Sequence, residues 1–204
     1  MTSLPTTTIP RSAAVIDRSA LAQQFPTQRH APEFWEHLGR AIASFGCLEE
    51  TLGKAIFAFT ATTEYSEKDV EAALAKWPAR LHSALSDTLK PLAEVYGKVV
   101  REHHEAEFPN VGDLVEDIKK AAEIRNALCH GSWRAPDASG KSALYYFNKQ
   151  GEKFDTPVDI AWLRQLQAHV QDLVCAVINS VTVMGWQFPG GAGPGEEIWG
   201  RHHV

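Results

Sequence analysis

Behind Pro32, the residues Phe34, Leu38, Ile42, Phe45, Leu48 (or Glu49), Leu52, Ile56 and Phe59 recur every three or four positions. That period matches the 3.6-residue turn of an α-helix and draws one apolar stripe along about seven turns. A helix this long with a single apolar face must bury that face against other elements, which directs the chain toward a helical bundle. Gly39, Gly46 and Gly53 lie seven apart on the same helix. Glycine in a helix interior costs roughly 1 kcal/mol relative to alanine, so the spacing suggests close approach of another helix.

Three more helical regions follow. The second starts at Ser66, an N-cap with Asp69 three residues on, and carries Val70, Leu74, Trp77, Leu81, Leu85, Leu89, Leu92, Val95 and Val99 to about His104. Pro78 and Pro91 interrupt it, which reads as two or three helical pieces or one bent helix. The third runs from Val111 or Asp113 to His130, with Gly131 as its stop. A short β signal over residues 143–147 and 152–155 then reads as a hairpin turning at Gly151. Thr156, Pro157 and Asp159 form a helix start for the fourth helix, which ends near Gly185.

The expected fold is therefore all-α: four or five helices around one core, with a β-hairpin before the last long helix. Residues 1–30 read as an N-terminal arm, 31–186 as the helical domain and 187–204 as an irregular tail. The 204 residues suit one domain with extended ends, or at most two small ones. No apolar run is long enough to span a bilayer, and the first twenty residues make a poor secretory signal. Cys47, Cys129 and Cys175 are far apart, odd in number and set in apolar helical patterns, which reads as buried, reduced thiols in a cytoplasmic protein. The formal net charge of −5 argues against broad affinity for nucleic acid, though not against a small basic cleft. No GxGxxG, GxxxxGK[ST], HExxH or CxxC pattern occurs, so neither a metal nor a cofactor is expected.

The stretch EIRNALCHGSW, residues 123–133, carries the chemistry. On a wheel of roughly 100° per residue, Leu114, Ile118, Ala121, Leu128 and Cys129 cluster on one side, with Arg125 in their middle. A permanent charge there is expensive without acceptors. Arg125 is thus expected to face a polar cleft or a subunit interface, or to pair with an acid such as Glu49 or Glu50. His130 stands at the helix C-terminus, about 140° around from Arg125. To act at one point the two need an unwound last turn or a second copy of the chain across a two-fold axis.

Arg125-Asn126-x-x-x-His130-Gly131 resembles the R-x4-H signature of the HEPN superfamily, in its RNxxxHG form. The context is similar as well: a long first helix with FGCLEETL in its middle, a late motif helix and one more long helix, together covering roughly residues 33–185. The resemblance implies a homodimer joined through the motif helices and a metal-independent endoribonuclease of a bacterial toxin–antitoxin, phage-defence or stress system, with an antitoxin or regulatory protein as a further partner. It also implies roles. His130 would move the proton of an RNA 2′-hydroxyl or of the leaving 5′-oxygen, Arg125 would hold the phosphate, and Asn126 would orient the imidazole or the substrate. The alternative is a non-catalytic HEPN-like module whose cleft binds a nucleotide, an RNA or a partner protein.

Further binding candidates are Glu49, Glu50, Trp133, Arg134 and Tyr145. Each also has a plainer reading: Glu49 and Glu50 as a solvated or interface pair, Trp133 packed on the fourth helix, and Tyr145 sharing one face of a half-buried hairpin with Phe147 while Tyr146 takes the other. Arg134, Lys141, Lys149 and Lys153 make the hairpin region locally basic. His103 and His104 read as a solvated helix end whose rings point apart, not as a metal site.

Overall fold

The computed structural model describes residues 14–72, 74–75, 88–106, 108, 110–191 and 193. These are mostly helical: α1 (Pro32–Thr62), α2 (67–72 and 74–75), α3 (Leu89–Glu102), α4 (Val111–His130) and α5 (Ile160–Thr182). The strands β1 (Ser132–Trp133) and β2 (Leu144–Tyr145) lie between α4 and α5.

The α1 stripe does what its spacing dictates. Phe34, Leu38, Phe45, Leu48, Leu52, Ile56 and Phe59 are all buried. They pack mainly on α5 and α3, where Leu163, Val170, Val177, Leu92 and Tyr96 complete the core. Full burial contributes about 1.5–3 kcal/mol per large apolar side chain, so this one stripe holds the bundle together.

Several local expectations are corrected. A Cβ added at Gly39 or Gly46 would meet nothing within 4 Å, so no helix among the described residues approaches α1 closely there. Pro91 falls in the first turn of α3, where a missing N–H costs little, and bends nothing. Pro78, Trp77, Leu81 and Leu85 lie outside the described residues, and Val70 and Leu74 are exposed. Helix α5 begins at Ile160 instead of at Pro157: Asp159 is its N-cap and accepts from the Trp162 N–H at 2.7 Å. Val158 is held out of the helix because its backbone pairs with Ser142.

All three cysteines are exposed. Cys129 sits one residue from the end of α4, exposed directly after the buried Ala127 and Leu128. His103 is the reverse case: it is buried after α3 ends, stacks on His104 at 4.9 Å and bonds Thr62 Oγ1 through Nε2. Residues flanking the helical body, Thr27 before α1 and Phe188 after α5, join it as well. Phe188 belongs to the core, and the Trp35 indole donates to the Thr27 carbonyl at 3.1 Å. No helix among the described residues is long and apolar enough to cross a membrane.

The hairpin forms, turning through residues 148–151 with Gly151 at φ 81°. Phe147 bridges Lys153, Ser142 bridges Val158, and β2 also pairs antiparallel with β1 in the register Ser132 to Tyr145 and Trp133 to Leu144. The segment that follows the motif helix is thereby tied across the hairpin.

Candidate functional site

Helix α4 stops at Gly131 because of a close approach. The glycine has an ordinary φ of −78°, but a Cβ there would lie 2.5 Å from Leu144 Cγ and 2.7 Å from the Ala127 carbonyl oxygen. The absence of a side chain lets the hairpin seat directly on the end of α4.

The buried stripe of α4 runs through Val111, Val115, Ile118, Ala121, Ala122 and Leu128, with Leu114 half-buried and Cys129 exposed. Arg125 lies on this apolar side, between Ile118 and Ala121 around the helix. Its guanidinium is half-buried and 3.8 Å from Glu49 Oε1, as the pairing with an acid required. Nη1 donates to Asn126 Oδ1 at 3.3 Å. Glu49 is doubly used: the same oxygen accepts from the Leu89 N–H at 3.1 Å and so satisfies the start of α3, where Thr88 supplies no side-chain cap.

Arg125 and Asn126 open into a cleft of about 650 Å³ between the start of α3, the second half of α4 and the hairpin. Five cations line it, Lys90, Lys120, Arg125, Lys149 and Lys153, against the carboxylates Glu123 and Glu152. Some of that charge is already engaged. Lys90 pairs with Glu123 at 2.7 Å, Lys120 with Asp117 at 3.0 Å and Lys153 with Asp155 at 3.3 Å. The hydrogen bond that Lys120 Nζ donates to Asp117 Oδ1 raises its pKa above the ordinary value and keeps it charged. Lys149 has no ion pair among the described residues. Tyr146 and Phe154 supply the apolar wall.

His130 is exposed at the last position of α4 and does not line this cleft. It makes no hydrogen bond or ion pair among the described residues. The structure therefore brings Arg125, Asn126 and Glu49 together and leaves His130 apart.

The other candidates lie elsewhere. Glu50 is exposed and bonded to Lys54 at 2.6 Å, one turn along α1. Trp133 meets His30, Phe34 and Trp35 edge-on at the start of α1, with centroids 5.0–6.4 Å away. Arg134 lies 5.1 Å over the Tyr145 ring, and Tyr145 meets Phe147 edge-on at 5.4 Å. The start of α3 is the lining that the motif alone did not indicate. Its only trace in the sequence is Glu49, forty residues earlier. Among the described residues no cluster of three His, Cys, Asp or Glu side chains could hold a metal ion.

The residues thus define a mostly helical protein with an arginine-bearing polar cleft beside a hairpin. No family model matches the chain, and no curated protein or solved structure matches it.

Proposed function

We propose that the chain is a metal-independent endoribonuclease of HEPN type that acts as a homodimer in a bacterial toxin–antitoxin or phage-defence setting. The observation that carries the reading is the state of Arg125. It is half-buried in a cleft, yet among the described residues only one of its five donors makes a hydrogen bond, and its ion pair to Glu49 is long at 3.8 Å. A planar fork with free donors suits two oxygens of a phosphodiester.

His130 and Arg125 leave α4 in different directions, so one copy does not bring them to one point. Two copies joined along α4 bring the Arg125 of one subunit toward the His130 of the other. The RNA 2′-oxygen then attacks the adjacent phosphorus and gives its proton to a histidine. The P–O5′ bond breaks, the leaving 5′-oxygen takes a proton, and a 2′,3′-cyclic phosphate remains. Arg125 stabilises the charge that develops on the non-bridging oxygens.

The separation of His130 from the cleft favours a second reading, a non-catalytic module that binds RNA or a nucleotide through Arg125 and Asn126. Incubation of labelled RNA in EDTA with wild type, Arg125→Ala and His130→Ala, matched for folding by circular dichroism, decides between them. Cleavage by the wild type alone, leaving cyclic phosphate ends, is the expected result. Equal cleavage by all three, or cleavage by none with retained RNA binding, overturns the catalytic reading in favour of the module.

A further inference from the structure

The outward face of the hairpin carries two exposed aromatic rings that pack on nothing in the core. Tyr145 is 54% and Phe147 48% exposed, whereas their neighbours Leu144 and Tyr146 turn inward. Strand geometry fixes what else shares that face. Residues opposite each other in an antiparallel pair, and residues two apart on one strand, project on the same side. The register places Ser132 beside Tyr145 and Lys153 beside Phe147, and Arg134 is two residues beyond Ser132. The face therefore reads cation, ring, ring, cation across β1, β2 and the Phe147–Lys153 bridge. Arg134 lies over Tyr145 at 5.1 Å, and Lys153, which shares part of its charge with Asp155, stands at the rim of the Arg125 cleft.

We infer that this face is a base-stacking platform for single-stranded RNA, an inference that rests on RNA being the ligand of the proposed function. Exposed rings accept any base on their faces, and flanking cations meet the phosphates between them. The platform is also placed for this task. Ser132 is two residues from His130, about 7 Å of extended chain, so one strand can lie on Tyr145 and pass the motif helix.

The test uses the full-length His130→Ala protein, which holds RNA without cutting it on the proposed mechanism, and fluorescence anisotropy with a labelled single-stranded RNA. Tyr145→Ala with Phe147→Ala is expected to weaken binding at least about tenfold. Tyr145→Leu with Phe147→Leu keeps apolar bulk without a ring and should weaken it comparably. An oligonucleotide of equal charge carrying abasic sites should bind all forms alike. Unchanged RNA affinity in the alanine pair, retained affinity in the leucine pair, or equal loss on the abasic strand overturns the platform, while wild-type cleavage still stands. A shift to monomer in sedimentation for either pair also overturns it, since the face would then be a contact between copies. RNA binding that depends on the rings, without cleavage by the wild type, supports the platform while the ribonuclease reading fails. No RNA binding at all ends both.

Discussion

Glu49 Oε1 lies 3.8 Å from Arg125 Nη2 while accepting the Leu89 N–H at 3.1 Å. One carboxylate thus restrains the motif arginine and closes the start of α3. The two tasks separate by substitution. Glu49→Gln keeps an acceptor for Leu89 and removes the charge facing Arg125. It should leave stability within about 0.5 kcal/mol and tighten RNA binding. Glu49→Ala orphans the helix terminus and should cost roughly 1 kcal/mol in urea denaturation. Equal destabilisation by both would show that the charge, not the acceptor, is what α3 needs.

Gly131→Ala should be destabilising by about 1–3 kcal/mol, because its Cβ would overlap Leu144 and the Ala127 carbonyl. The φ of −78° suits alanine, so no conformational cost adds to this. Thermal unfolding measures it. A neutral result would mean that the hairpin does not seat on the end of α4 as described.

Tyr96 is fully buried, and its hydroxyl donates to Ser180 Oγ at 2.7 Å. Burial pushes its pKa up to about 12, from an ordinary 10.0. The unfolded chain therefore releases this proton first as pH rises. Stability is complete below about pH 10 and falls between about 10 and 12, at up to about 1.4 kcal/mol per pH unit. Tyr96→Phe should cost about 1 kcal/mol at neutral pH and flatten that alkaline decline. Urea midpoints for both proteins at pH 7 and pH 11 test this. Parallel declines would rule Tyr96 out as the cause.

His30 shares a 2.7 Å hydrogen bond with the fully buried Ser142 and stacks on Phe34 at 4.4 Å. Burial lowers its pKa from 6.5, so the unfolded chain takes up the proton first as pH falls. The sign is opposite to that of Tyr96: this contribution is present above about pH 6.5 and is lost on acidification through the lowered value. His30→Gln, which keeps hydrogen-bonding capacity but does not titrate, should show a smaller loss of melting temperature from pH 7.5 to 5.5. An identical loss in both proteins would remove His30 from the acid response.

The fold was legible where a long period repeated. The stripe from Phe34 to Phe59 determined α1, and the cap at Gly131 and the turn at Gly151 located the end of the motif helix and the hairpin. Legibility failed at element ends. There Asp159 displaced Thr156 as cap once Ser142 had claimed Val158, and His103 was buried by packing that no local pattern encodes.

For the site, the sequence by itself determined that Arg125 needed an acceptor and that His130 stood about 140° away on the same helix, because both follow from charge and helical period alone. Only the tertiary structure decided which acid answers Arg125, that α3 and the hairpin wall its cleft, and that Tyr145 and Phe147 stay outside the core. Those outcomes depend on contacts between residues far apart in the sequence, such as Leu89 with Glu49, 40 positions away. A one-dimensional pattern records which face of an element is apolar. It does not record what that face will meet.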